Sequence, residues 1–170
     1  MINFDDTLIR VAELMALAAR TAPKAKGEDN LKIKIVSGSE LENFADDMLK
    51  TGEKASRIAT FQRDADCVRK AACLLLIGTR STPLGLDCGF CGFNSCKEAA
   101  KAGATCAYNS GDLGIAIGSA VSTAAELKAD NRVLYTAGLT AKENGILGSN
   151  IMMALGIPLS GSGKNPFFDR

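Results

Sequence analysis

Residues 72–77 read Ala72-Cys73-Leu74-Leu75-Leu76-Ile77, a continuous apolar run of strand length. The run lacks the alternation of polar and apolar residues that a strand with one solvated face shows. A run of this kind is typical of a central strand whose two faces are both covered. We therefore predict a sheet that lies between layers of helices, with this strand inside it.

The segments on both sides of the apolar run have alternating helix and strand patterns. Helical spacing extends over about 5–20, 39–50, 56–70 and 112–128, and strand patterns over 31–36, 132–137 and 150–157. The order of these elements predicts one α+β domain over residues 1–170, a mixed sheet with helices packed around it. In the last helix Gly114, Gly118 and Ser122 recur every fourth residue, so we expect that face to be buried in close packing.

Composition limits the classes of partner. The 170 residues are 46% hydrophobic and carry 20 Lys and Arg against 19 Asp and Glu, a net charge of +1. So small a charge predicts neither a nucleic-acid nor a membrane partner. The first residues contain Asp5 and Asp6 where a signal peptide has basic residues, and the longest uncharged stretch, 113–125, is shorter than the ~20 residues of a membrane span. We expect a cytoplasmic protein.

Cysteine is the residue type that points to chemistry. The chain has six cysteines and no histidine. Because the cytosol keeps thiols reduced, cysteines in a cytoplasmic chain are better interpreted as metal ligands or redox groups than as disulfides. The absence of histidine excludes a Ser-His triad and every zinc site that needs imidazole. A metal in this protein must bind to sulfur or carboxylate.

Four cysteines share one segment and have the spacing C-x2-C-x4-C-x9-C: Cys88, Cys91, Cys96 and Cys106. Three thiolates within nine residues can converge only on a small centre. We predict a 4Fe-4S cluster on these four residues, in a loop and helix embedded at 84–108. Cys106 is the preferred fourth ligand, with Cys67, Cys73 or a ligand from outside the chain as alternatives.

The residues around the cysteines favour a cluster over zinc. Gly89 and Gly92 each follow a cysteine, where the lack of Cβ permits a sharp turn. Helix-forming residues follow Cys96, which we place at a helix N-terminus, where thiolate is favoured. Four-sulfur zinc sites usually pair two C-x2-C arms, a pattern that this spacing does not repeat. A zinc-stabilised interaction module remains the alternative.

The pattern Cys-Gly-x-Cys-Gly-x-x-x-Cys before an alanine-rich helix resembles the 4Fe-4S domain of corrinoid iron–sulfur proteins and of membrane electron-transport complex subunits. In those domains the fourth cysteine usually comes later and often precedes proline, whereas Cys106 is nearer and precedes Ala107. The resemblance therefore implies three of the ligands more firmly than the fourth.

Nearly the whole chain resembles a family of uncharacterised bacterial and archaeal proteins described as containing a ferredoxin domain. The matching stretches are 20–25, the cysteine loop, 109–114 and the tail 163–170. This resemblance implies cluster binding, and with it electron transfer or redox sensing, but it does not imply a particular reaction.

The order of elements is also similar to that of nitroreductase-like flavoproteins, with an N-terminal helix ending in Ala-Pro and a last strand ending in Gly-x-Pro, here 156–158. This similarity implies FMN as a possible cofactor, a flavin-dependent oxidoreductase using the cluster as a relay as an alternative function, and a homodimer. Arg20, Lys24 and Asn30 are the residues that we assign to the flavin. The doubled arginine that binds flavin phosphate in that family has no counterpart here. The redox partner protein is not identified.

Overall fold

The sheet at the centre of the fold has four strands in residues 2–168, the part of the chain that the computed structural model describes. The strands are β1 (Leu31–Ser37), β2 (Cys73–Arg80), β3 (Asp130–Asn131) and β4 (Ile151–Ser160). They lie in the order β1-β2-β4-β3. Every strand pair within the described residues is antiparallel, so the predicted mixed sheet is in fact antiparallel.

Strand β2 is the covered central strand that its sequence predicts. Residues 73–77 are 0% exposed. Because side chains alternate across a strand, Cys73, Leu75 and Ile77 enter one hydrophobic cluster while Leu74 and Leu76 enter another. The sheet thus separates two cores, and both depend on β2.

The described part of the chain has six α-helices, and five of them cover the two faces of the sheet. The six helices are α1 (Asp5–Thr21), α2 (Glu40–Lys54), α3 (Ile58–Arg69), α4 (Cys96–Lys101), α5 (Ala107–Glu126) and α6 (Tyr135–Glu143). Helices α1 and α5 pack on one face, and α2, α3 and α6 pack on the other. The predicted α+β class is confirmed. None of these helices, within residues 2–168, has the length and apolar character needed to cross a bilayer.

The glycine face of α5 is exposed, whereas the sequence predicts it to be buried. The buried face consists of larger residues, among them Leu113, Ala116 and Ile117. Gly114 and Gly118 are exposed, and a Cβ built on either one meets no atom within 4 Å. The prediction that the glycines are buried in close packing inside the chain is therefore wrong.

The strand predicted over 132–137 is also different. Pairing with β4 ends early, because β3 covers only Asp130–Asn131 and Leu134 adds one isolated bridge to Gly156. The chain then enters α6, whose buried residues include Thr136, Ala137 and Thr140 at helical spacing. A Cβ built on Gly138 would stand 1.7 Å from the carbonyl oxygen of Ala154 in β4. Only glycine lets the helix backbone approach the strand this closely.

Met1, Asp169 and Arg170 lie outside the described residues, so the predicted 1–170 domain and the tail stretch 163–170 are described only as far as residue 168.

Candidate metal centre

The four predicted ligands line one pocket, which lies between the end of β2 and the start of α5. They are Cys88, Cys91, Cys96 and Cys106. Cys88 is exposed, Cys91 and Cys96 are half-buried, and Cys106 is buried. The segment between the two elements therefore brings together side chains that are up to eighteen residues apart in the sequence.

Two glycines shape the loop as predicted. Gly89 has a φ of +76° and Gly92 a φ of +85°, in the left-handed region that residues with a Cβ rarely adopt. The backbone N–H of Gly92 donates to the carbonyl of Gly89 at 2.9 Å, which closes a turn around Cys91. The turn keeps Cys88 and Cys91 on the same pocket.

Cys96 is the first residue of α4, as predicted. Ser95 caps this helix, since its side chain accepts from the N–H of Glu98 at 3.2 Å. The N–H of Cys96 donates to Asp87 Oδ1 at 2.6 Å, and the N–H of Asp87 donates to Cys96 Sγ at 3.4 Å. A backbone N–H directed at sulfur favours the thiolate form and is one of the factors that set a cluster's potential.

Cys106 is positioned by the first turns of α5. It is the residue before that helix, and Asn109 lies one turn later with 1% of its side chain exposed. Asn109 Nδ2 donates to the carbonyls of Arg80 at 3.1 Å and Thr82 at 2.7 Å. These bonds fix α5 to the chain that leaves β2, and so hold Cys106 beside the cysteine loop. Asn109 is not among the predicted site residues, although a polar residue on the buried face of a helix is a usable signal.

The other two cysteines lie away from this pocket. Cys73 is in β2, where burial raises the pKa of its thiol to about 12. Cys67 is in α3 and lines a different pocket. Neither of them lines the pocket of the other four cysteines. Among the candidate fourth ligands Cys67, Cys73 and Cys106, the one that shares a pocket with Cys88, Cys91 and Cys96 is therefore Cys106.

A second pocket, of about 430 Å³, adjoins the first. Tyr108 lines both pockets, and its ring stacks on Phe90 at a centroid distance of 5.7 Å. Asp112 and Lys24 also line the second pocket. Both Asp112 carboxylate oxygens accept from the N–H of Ala25, at 3.2 and 3.1 Å, which holds the loop after α1 against α5. Asp112 is not among the predicted site residues.

The three residues assigned to a flavin are engaged within the chain. Arg20 forms an ion pair with Asp29 and donates to the carbonyl of Leu31. Lys24 Nζ donates to three carbonyls at the end of α1, the shortest bond being 2.6 Å to Arg20. Asn30 Nδ2 donates to Asn109 Oδ1 at 3.2 Å. Of the three, only Lys24 lines the second pocket. Their role in flavin binding stays a prediction.

The donors of the first pocket fit an iron–sulfur cluster by their chemistry, since four soft sulfur ligands share one pocket. Within residues 2–168, no three Cys, Asp or Glu side chains are grouped closely enough to hold a metal ion. The pocket volume is about 10 Å³, which is the room of roughly one water molecule. A 4Fe-4S cluster is larger than this space, so the support for a cluster comes from the four sulfur donors that share the pocket and not from its volume.

Comparisons with known proteins identify relatives in sequence. A family model described as "Uncharacterized protein containing a ferredoxin domain (DUF2148)" matches residues 102–170, which include Cys106 but not the other three cysteines of the pocket. An uncharacterised protein of Archaeoglobus fulgidus is 43% identical over 178 residues, covering 99% of this chain and 95% of that protein. The second relative spans the cysteine loop as well.

Solved structures share the fold at low identity. Nitroreductase CinD from Lactococcus lactis, in complex with chloramphenicol, has a TM-score of 0.63 at 15% identity, covering 99% of this chain and 86% of its own. A nitroreductase with bound FMN from Desulfitobacterium hafniense has a TM-score of 0.62 at 14% identity, covering 96% of this chain and 92% of its own. A BluB-like flavoprotein from Clostridium difficile has a TM-score of 0.58 at 17% identity, covering 96% of this chain and 95% of its own. At these identities the likeness shows the fold alone.

Proposed function

Because this chain belongs to the family of uncharacterised proteins containing a ferredoxin domain and has a nitroreductase-like fold, we propose that it holds a 4Fe-4S cluster and acts in electron transfer or redox sensing. The observation that carries this proposal is the shared pocket of Cys88, Cys91, Cys96 and Cys106. The family description and the redox proteins among the structural neighbours support a redox role. Within that role, the four cysteine sulfurs favour an iron–sulfur cluster.

The residues of the loop have separate tasks in this proposal. The four thiolates hold the cluster, which when bound supplies a one-electron donor and acceptor. The N–H of Asp87 stabilises the charge on Cys96 Sγ. Cys88 lies at the exposed side of the loop, next to the exposed apolar side chains of Leu86 and Phe90, the latter 73% exposed. We propose this side as the approach for a redox partner protein, since it brings the partner nearest to the ligands.

Anaerobic purification followed by metal and sulfide analysis tests the proposal. We expect iron and acid-labile sulfide in equal amounts and a broad visible absorption band that dithionite bleaches. A colourless protein with stoichiometric zinc would instead support the interaction module and overturn the redox assignment.

Single Cys→Ser variants test the ligand set. Substitution of Cys88, Cys91, Cys96 or Cys106 is expected to lower the iron content, because each removes one thiolate. Cys67→Ser is the matched control, since Cys67 is a cysteine of the same chain that lies away from the pocket. Full iron content in Cys106→Ser would show that the fourth ligand is a different group.

A flavin-dependent oxidoreductase that uses the cluster as a relay is the second candidate. One specific observation favours it: the second pocket has the volume of a small-molecule site and is lined both by Lys24 and by the stacked rings of Phe90 and Tyr108. Titration with FMN, followed by quenching of flavin fluorescence, tests it. Binding that Lys24→Gln weakens would support the flavin, whereas unchanged FMN fluorescence would exclude it.

We also propose that the protein is a cytoplasmic homodimer. The compartment is supported by the cysteines, all six of which are free thiols. The dimer is supported by the exposed glycine face of α5, where Ile115 is exposed beside Gly114 and Gly118. Such a face permits close approach of a second helix. Light scattering of the purified protein measures the subunit number directly.

A further inference from the structure

A third pocket, of about 530 Å³, lies between the end of α3, the region of β3 and the C-terminal tail. We call it the tail pocket, and its main lining residues are Arg63, Cys67, Lys70, Arg132, Lys164 and Phe167. It is at the end of the sheet where β2 begins, whereas the cysteine loop follows the end of β2. The eight residues of β2 place the two sites roughly 25 Å apart.

The tail pocket has an excess of positive charge. Four of its lining residues are cations and one, Asp66, is an acid. Arg63 is compensated by the buried carboxylate of Asp64, with Nε and Oδ1 2.8 Å apart. Asp66 is in turn paired with Arg69 at 3.4 Å. Within residues 2–168, no ion pair involves the other three cations, which are Lys70, Arg132 and Lys164.

Three of the four cations of the tail pocket lie near Cys67. Burial and the carboxylate of Asp64 raise the pKa of the Cys67 thiol, while the positive charges of Arg132, Arg63 and Lys70 act in the opposite direction. Three cations therefore lie close enough to one buried sulfur to influence its ionisation. An anion at the mouth of the pocket would be attracted by the same charges.

The apolar wall of the pocket is held in place. Arg132 Nη1 donates to the carbonyl of Phe167 at 2.7 Å, and the guanidinium lies 4.9 Å from the ring centroid of Phe168. Asn165 Nδ2 donates to Asp130 Oδ1 at 3.0 Å, and Asn165 Oδ1 accepts from the N–H of Phe167 at 2.9 Å. The tail is thus tied to the sheet, and the pocket wall is built by specific bonds.

We propose that the tail pocket binds a small phosphate ester that carries an aromatic ring, of the size of a mononucleotide. The volume is that of a small-molecule site. Besides the Nη1 that holds the carbonyl of Phe167, the Arg132 guanidinium carries further N–H donors suited to phosphate, with Lys70 and Lys164 as additional cations. Pro166 and Phe168 supply apolar surface for a ring. The site shares no residue with the cysteine pocket and goes beyond the redox function.

Calorimetric titration of the full chain with three probes tests this proposal. AMP carries both the phosphate and the ring, inorganic phosphate carries the charge alone, and adenosine carries the ring alone. We expect one AMP per chain, bound at least tenfold more tightly than either of the other probes and more weakly as salt is added. Absence of AMP binding, or equal affinity for AMP and one of the partial probes, would overturn the proposal.

Variants locate the binding to this pocket. The double variant Lys70→Gln, Lys164→Gln removes two charges whose side chains make no hydrogen bond within residues 2–168, so we expect it to fold and to bind AMP at least tenfold more weakly. Arg132→Gln is a second variant with the same expected direction. Lys54→Gln, on an exposed turn of α2 outside the pocket, is the control and should bind as the unaltered chain does. AMP affinity unchanged in both pocket variants would place the ligand elsewhere.

Discussion

The N–H of Cys96 donates to Asp87 Oδ1 at 2.6 Å, and the N–H of Asp87 donates back to Cys96 Sγ at 3.4 Å. This reciprocal pair closes the ten-residue segment 87–96, which carries Cys88 and Cys91. Asp87 has a φ of +45°, a left-handed conformation that Asp and Asn tolerate better than most residues. One side chain therefore fixes both the geometry of the loop and the start of α4.

Asp87→Ala should weaken this closure, because it removes the acceptor for the N–H of Cys96 and places alanine in a left-handed conformation. We expect the free energy of unfolding to fall by about 1 kcal/mol, the usual net contribution of one hydrogen bond. Urea unfolding measures the change, and iron retention should fall with it. Asp87→Asn is the matched control, since it keeps an oxygen acceptor; equal loss in both variants would contradict the role of the hydrogen bond.

Gly138→Ala should be among the most damaging single substitutions. The added Cβ would stand 1.7 Å from a backbone oxygen of β4, and a backbone atom cannot rotate away as a side chain can. We expect a loss of about 3 kcal/mol or more, as in severe overpacking. Thermal unfolding measures it. A near-normal melting temperature would show that α6 does not approach β4 as closely as described.

Gly114→Ala tests the opposite case to Gly138→Ala, because a Cβ added at Gly114 has free space around it. A Cβ there meets no atom within 4 Å, and alanine is the better helix former by about 0.5–1 kcal/mol. The isolated chain should therefore become slightly more stable. Gly114→Leu should in addition weaken the proposed homodimer, because its bulk prevents close contact of α5 with a second copy. Light scattering against protein concentration is the measurement, and an unchanged dimer would remove this face from the interface.

Cys73 should make stability depend on alkaline pH. Its thiol has a pKa raised from 9.0 to about 12 by burial, with a smaller contribution from Asp5. The folded state therefore favours the neutral thiol, while the unfolded chain ionises above pH 9.0. The stabilisation is complete below pH 9.0 and is lost as pH rises toward 12.

Urea unfolding of the reduced, cluster-free protein at one pH below 9.0 and one between 9.0 and 12 measures this effect. Cys73→Ala lacks the titrating thiol, so its free energy of unfolding should fall less between the two pH values. An equal fall in both proteins would assign the pH dependence to other groups.

Much of the fold could be predicted from local patterns. Three predicted segments correspond to observed elements: the apolar run at 72–77, the alternating strand at 31–36 and the helix near the N-terminus. In each of them the spacing of apolar residues in the sequence matches the residues that the fold buries. Residues 132–137 did not follow their pattern. Val133, Leu134 and Tyr135 favour a strand locally, but packing against β4 selects a helix from Tyr135 onward, and glycine at 138 makes that packing possible.

The local features of the candidate site can be predicted from sequence: four cysteines, the glycines that turn the loop, and Cys96 at the start of a helix. Spacing and backbone preference are enough to predict them. Which distant groups join them depends on the packing of the folded chain. Asn109 fixes Cys106 to the chain leaving β2, and Arg63, Lys70 and Arg132 come near Cys67 in the tail pocket, because β2 and β4 bring segments together that lie far apart in the sequence.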